Sequence, residues 1–149
     1  NIVAVSGTRE ALYMLGDISI PRKKNNAKPA VLIPNPFYQV YIGTTLMNEA
    51  DPIYLPATKE TEFLPDLNSL DEATLKRTAL AFLCSPSNPQ GTVANIEYLE
   101  NAIKNNLISD VKKANLLAGS FNPEISPVQS SLVHGDLYSR HIMVDQIQI

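Results

Sequence analysis

Residues 80–92 constrain this chain more than any other stretch. Leu80-Ala81-Phe82-Leu83-Cys84 is an unbroken apolar run, and its lack of polar alternation reads as a strand buried on both faces of a parallel sheet. It leads into Ser85-Pro86-Ser87-Asn88-Pro89-Gln90-Gly91-Thr92, where two prolines, an Asn and a Gly force the backbone out of the sheet into a turn. A helical pattern resumes near Asn95. Strand, rigid polar elbow, helix is how an open α/β sheet presents ligand-binding groups at the carboxyl ends of its strands.

The rest of the first two-thirds repeats that alternation. Short strands are predicted at 2–5, 30–33, 53–55 and 79–84, separated by helical patterns at 9–15, 38–48, 69–77 and 95–104. Gly16 and Asp17 are expected to break the first helix. Ser69 and Glu72 form a capping-box pattern opening the third, and Ile96, Leu99 and Ile103 mark one face of the fourth. The expected fold class is therefore α/β, a partial parallel sheet with flanking helices. Beyond Asn105 the character changes. Residues 106–117 are weakly helical in pattern, 118–129 are rich in Gly, Ser, Asn and Pro, and 141–149 alternate like a hairpin. The predicted division is 1–105 as one domain portion and 106–149 as a small strand-loop-hairpin piece. The chain opens on a strand-like sequence with no lead-in, which predicts further protein upstream.

Composition excludes several function classes. With 149 residues, 44% hydrophobic and 18% charged, this is a globular chain of one ordinary domain's length. A net charge of -3 argues against nucleic acid as the main partner, and the basic run Arg22-Lys23-Lys24 reads as a solvated loop. No apolar stretch is long enough for a membrane span, so no membrane partner is expected. The single cysteine, Cys84, excludes an internal disulfide framework and favours a cytoplasmic setting.

Three polar constellations stand at the ends of apolar runs. Ser6-Gly7-Thr8 sits where a strand would hand over to a helix, a place suited to phosphate; the plainer alternative is that Ser6 or Thr8 caps the helix. Pro36-Phe37-Tyr38 sets aromatic rings after the second run, either as a plate for a ligand or as core. Asn88 offers an amide whose position the neighbouring prolines restrict.

Together, Ser-Gly-Thr-Arg-Glu-Ala-Leu at 6–12, Pro-Asn-Pro-Phe-Tyr-Gln-Val-Tyr at 34–41 and Ser-Pro-Ser-Asn-Pro-Gln-Gly-Thr at 85–92 resemble the cofactor site of the class I/II, fold-type I aminotransferases. The resemblance covers about 1–104, and its phrasing is similar to succinyldiaminopimelate aminotransferases. It implies a large cofactor-binding domain and pyridoxal 5'-phosphate as cofactor. Ser6, Gly7, Thr8 and Arg9 would hold the phosphate, Tyr38 would stack on the pyridine ring, and Asn88 would bond its phenolic oxygen. The implied reaction moves an amino group between an amino acid and a 2-oxo acid, with the ring as electron sink. The family is homodimeric, so self-association is implied. The family also uses an Asp at the pyridine nitrogen, a Lys that binds the cofactor covalently, and an Arg for the substrate carboxylate. None has a counterpart here, since Lys104, Lys112 and Lys113 fall on helical segments; a fragment without turnover is expected.

The last third carries a second likeness. Leu132-Val133-His134-Gly135-Asp136-Leu137, continuing to Asp145, resembles the catalytic loop of the aminoglycoside phosphotransferase and choline kinase-like families. That alternative implies ATP and Mg, with Asp136 as base, His134 bracing the loop and His141 standing where a magnesium-binding Asn is usual. No Gly-rich nucleotide loop accompanies it. A metal site made of His134, Asp136 and His141 is a further alternative, though their spacing matches no common ligand set.

Overall fold

The computed structural model describes residues 4–104 and 140–145. Its framework is one sheet of four strands in the order β2-β1-β3-β4, where β1 is Ala30–Asn35, β2 Asp51–Pro56, β3 Thr78–Ser85 and β4 Arg140–Asp145. The first three run parallel, and β4 lies antiparallel beside β3, with Leu80 opposite Asp145 and Ser85 opposite Arg140. Helices α1 (Thr8–Ser19), α2 (Gln39–Met47), α3 (Glu72–Arg77) and α4 (Ile96–Lys104) connect or cover them. The expected α/β parallel sheet with flanking helices is present.

The apolar runs are continuous because both faces of the sheet are covered. Along β1 and β3, Val31, Ile33, Leu80 and Phe82 point to one side, where they pack with Leu12 of α1 and Val40 and Tyr41 of α2. Leu32, Ala81 and Leu83 point to the other side, against Leu99 and Ala102 of α4 and Leu67. A strand between two helical layers has no solvent face, so neither set of alternate positions can be polar.

Several local expectations are corrected. Ala4 and Val5 are not in a strand, and Val5 is 43% exposed; Ile2 and Val3 lie outside the described residues. Gly16 and Asp17 do not break α1. The helix runs to Ser19 because Gly16, buried in its interior, is where α2 makes its closest approach, against the side chain of Thr44. The cap of α3 is Asp71, whose carboxylate accepts from the Thr74 N–H at 2.6 Å, while the Ser69 hydroxyl is used on the Asp66 carbonyl at 2.8 Å. On α4 the buried face is Leu99 and Ala102; Ile96 is 61% exposed. Residues 140–145 form a strand paired with β3, and the second half of the hairpin expected over 141–149 lies outside the described residues.

Charge pairing closes the amino-terminal edge of the sheet. Asp51 at the start of β2 accepts from Lys28 at 2.8 Å and from Arg77 at 2.7 Å. The Lys28 bond, aided by Arg77, holds the Asp51 carboxyl below its ordinary value of 3.8. A carboxylate depressed on folding contributes stability above the unfolded value and loses it as pH falls through the folded one. Asp51→Asn is thus expected to cost at most about 1 kcal/mol at neutral pH, since the pair is partly solvated. The cost should vanish in acid, at pH below the depressed value. Urea midpoints of both proteins across pH 2–7 check this, and a cost persisting below that value would contradict it.

Candidate functional site

The order of strands places the site. After β1 the chain crosses to β2 on one side, and later returns to lay β3 on the other side of β1. Connections that leave in opposite directions open a crevice at the carboxyl ends of the two strands. Pro36-Phe37-Tyr38 follows β1 there, and Ser85 to Thr92 follows β3.

Tyr38 is the N-cap position of α2 and is half-buried. The Nε–H of Arg9 donates to its hydroxyl at 2.6 Å, and the guanidinium lies over the ring at 5.5 Å from its centroid. Those two contacts tie the first motif to the second, and the hydroxyl bond raises the Arg9 pKa above its usual value. The ring of Tyr41 meets Tyr38 edge-on, 5.9 Å between centroids at 88°. Tyr41 in turn stacks on Phe82 of β3 at 4.3 Å and 15°.

The elbow after β3 is a closed loop. The Thr92 N–H donates to the Ser87 hydroxyl at 2.9 Å, the Ser87 N–H to the Thr92 carbonyl at 2.7 Å, and the Gly91 N–H to the Ser87 carbonyl at 2.7 Å. Gly91 has φ 78, a left-handed conformation that favours glycine, and this turns the chain back. The Ser85 hydroxyl accepts from the Ala94 N–H at 2.9 Å, pinning the loop to the start of α4. Asn35-Pro36, Ser85-Pro86 and Asn88-Pro89 are cis. Asn88 sits exposed near the tip and lines the same cleft as Tyr38, along with Pro36, Phe63, Cys84 and Gln90.

Ser6, Gly7 and Thr8 are exposed at the start of α1. Neither hydroxyl caps the helix: Gly7 is the N-cap, and no side chain bonds the first turn from it. The capping alternative is therefore not realised. By contrast, α3 is capped by Asp71 and α4 by Asn95, which accepts from the Tyr98 N–H at 2.8 Å. The Ser6 N–H donates to the Glu10 carboxylate at 2.6 Å, and this bond lowers the Glu10 pKa. α1 and α2 both begin without a side-chain cap, α2 at Tyr38 and α1 at the turn before Arg9, which bonds Tyr38, so two positive dipole ends lie near that ring.

The structure thus brings Tyr38 and Asn88 to one cleft, while Arg9, which touches Tyr38, lines a neighbouring groove with Glu10, Tyr13, Gln39 and Val40, and Ser6, Gly7 and Thr8 line neither. Cys84 and Phe63 were not singled out by sequence. Cys84 reads as one more member of a buried run, and no local signal in the 57–64 loop marks Phe63. Lys104 is exposed at the end of α4, away from Tyr38, and lines a different groove of about 590 Å³ with Glu60, Glu97 and Glu100. His134, Asp136, Lys112 and Lys113 lie outside the described residues, and His141 falls in β4 opposite Cys84. Among the described residues no His, Cys, Asp and Glu cluster could hold a metal, and no helix is long and apolar enough to cross a membrane.

A family model described as "Aminotransferase class I and II" matches residues 1–109. The chain belongs to the class I and II aminotransferases. Among curated members of this aminotransferase family, it is 32% identical over 102 residues to an LL-diaminopimelate aminotransferase of Halothermothrix orenii, covering 68% of this chain and 25% of that protein. It is 31% identical over 101 residues to the transaminase BacF of Bacillus subtilis, covering 68% and 24%. Among solved structures, an aminotransferase from Neisseria meningitidis superposes with a TM-score of 0.60 at 35% identity over 68% of this chain and 26% of that one. The chain therefore spans about a quarter of the length of the aminotransferases it matches.

Class I and II aminotransferases depend on pyridoxal 5'-phosphate. The donor set in the crevice fits that group chemically. Tyr38 offers a flat ring and Asn88 an amide donor for a ring oxygen, and outside the cleft the first turn of α1, with no side-chain cap, leaves N–H groups suited to a phosphate. As it stands the cleft has room for about 10 Å³, roughly one water, so the mouth must part to admit a ring. Phe63, 42% exposed on its loop, is one of the residues that line the cleft.

Proposed function

We propose that residues 1–105 are a portion of the large domain of a pyridoxal-phosphate-dependent aminotransferase and form its ring-holding and phosphate-holding wall. The observation that carries this reading is the placement of Tyr38, bonded by Arg9 at 2.6 Å and facing the cleft that Asn88 lines. Ring stacking on Tyr38 would fix the plane of the cofactor, and the Asn88 amide would donate to its phenolic oxygen. Thr8 and Arg9 would receive the phosphate, which competes with Glu10 for the Ser6 N–H. When bound, the group supplies an electron sink for transamination of an amino acid and a 2-oxo acid.

The substrate class we favour is diaminopimelate, from the names of the relatives; theirs is the LL-diaminopimelate form, without the succinyl group suggested by the motif phrasing. Lys104 stands at a different groove from Tyr38 and takes no part in the wall assigned here. The phosphotransferase reading rests on the resemblance at 128–149 alone, and no observation adds to it.

Equilibrium dialysis of the full chain against pyridoxal 5'-phosphate tests the reading. Saturable binding is expected; Tyr38→Ala should weaken it about tenfold through the lost stacking surface, and Asn88→Ala about threefold to tenfold through the lost hydrogen bond. Pyridoxal without its phosphate should bind more weakly still. Equal affinity in all three proteins would overturn it.

A further inference from the structure

One buried ionisable side chain in the crevice has no role in the reading above. Tyr41 is 1% exposed, and its ring touches both the sheet and Tyr38. It lies one turn into α2, and its N–H donates to the Tyr38 carbonyl at 2.9 Å, so the two residues share a rigid backbone turn. Its ring rests flat on Phe82, whose strand is central to the sheet, and meets Tyr38 with its plane nearly perpendicular. Cys84, two residues further along β3 on the same face as Phe82, lines the same cleft and donates its thiol to the Pro86 carbonyl at 3.1 Å. Strand geometry puts alternate residues on one face, so Phe82 and Cys84 share the side of β3 on which the Tyr41 ring lies.

We propose that Tyr41 is a positioning residue for cofactor binding: its ring, stacked on Phe82, sets the plane of Tyr38 on which the cofactor ring stacks. This rests on the reading of Tyr38 as the stacking plate. An aromatic ring has no preferred orientation of its own about χ2 beyond broad wells, so a plate that is to stack productively needs a second ring to fix its tilt. Arg9 holds only the hydroxyl end of Tyr38 and covers its face; Tyr41 fixes the edge.

The test reads cofactor affinity and the circular dichroism that an achiral ring acquires when it is held in one orientation. Four variants of the full chain are compared with pyridoxal 5'-phosphate as the probe: Tyr41→Leu, Tyr41→Phe, Tyr38→Ala and Leu99→Ala. Leu99→Ala is a control for lost stability, since Leu99 is buried on the opposite face of the sheet. Tyr41→Leu should weaken binding about tenfold and abolish the induced signal; Tyr41→Phe should keep the signal and stay within about threefold. Leu99→Ala should lower the melting temperature while leaving affinity and signal in place. The inference is overturned if Tyr41→Leu binds and orients the cofactor as the parent does, if Tyr41→Phe loses the signal, or if Leu99→Ala loses as much as Tyr41→Leu. Tyr41→Phe preserves the packing, so that arm reads out even where Leu prevents folding. Failure of the parent to bind, or no effect of Tyr38→Ala, would instead sink the reading of Tyr38, and this inference with it.

Discussion

Phe82→Ala is expected to remove about 3–5 kcal/mol of stability, the usual cost of deleting a fully buried ring and leaving its cavity. Phe82 is 2% exposed in the middle of β3 and stacks on Tyr41 at 4.3 Å. Its neighbours are strands and helices fixed on both sides, so little can collapse into the space it leaves. Small domains are held by about 5–15 kcal/mol, and a loss of this size takes a large share of that. Urea unfolding measures it, with the midpoint falling and the slope unchanged. The comparison is Met47→Ala: Met47 is 70% exposed, and its removal should stay within about 0.5 kcal/mol. A loss below about 1 kcal/mol at Phe82 would mean that the two-faced packing of the sheet is wrong.

Gly16→Val is the second large effect. A Cβ on Gly16 would stand 2.9 Å from the Cβ of Thr44 and 2.5 Å from its Cγ2, and against its hydroxyl oxygen. Thr44 is fully buried and cannot swing aside without losing the bond from its hydroxyl to the Tyr13 carbonyl at 3.0 Å. The helices must separate instead. Overpacking of this kind costs about 1–3 kcal/mol, more than the roughly 0.5 kcal/mol gained by removing glycine from a helix interior. Because Arg9 of α1 bonds Tyr38 at the start of α2, their separation should also loosen Arg9 from Tyr38 and weaken cofactor binding. Thr44→Ala in the same chain should recover part of the loss, a coupling that a double-mutant cycle reads directly. Strict additivity of the two substitutions would show that the helices do not touch there.

These two residues also show what could be read in advance. Phe82 lies in an uninterrupted apolar run, and such a run admits few fates besides a strand covered on both faces. Gly16 read as a helix breaker because glycine's local preference is visible in sequence, whereas the close approach of Thr44, 28 positions later, is not. The same limit explains the cap of α3: Ser69 and Asp71 are both capping residues by type, and only the fold shows that Ser69 spends its hydroxyl on Asp66. The strand expected at 2–5 had the right composition, but Ala4 and Val5 have no sheet partner and Val5 is exposed.

In the crevice, Tyr38 and Asn88 were legible because each follows directly on a strand with prolines beside it. Cys84 and Phe63 were not. Which residues of a buried strand face a cleft depends on register, and a loop ring such as Phe63 joins the lining only through tertiary placement. The absence of a side-chain cap at Gly7 is likewise a structural finding, since Ser6 and Thr8 were both eligible by type.

The central claim is that Gly7–Arg9, Tyr38 and Asn88 surround one cofactor. It is tested most directly by titrating pyridoxal 5'-phosphate into isotopically labelled chain and following backbone amides and the Asn88 side-chain amide by NMR. The account predicts that the Thr8 and Arg9 N–H signals, the Asn88 side-chain signals and the Tyr38 ring shift together along a single binding isotherm. Shifts confined to lysine-bearing surfaces such as residues 22–28, with those four groups unmoved, would contradict it.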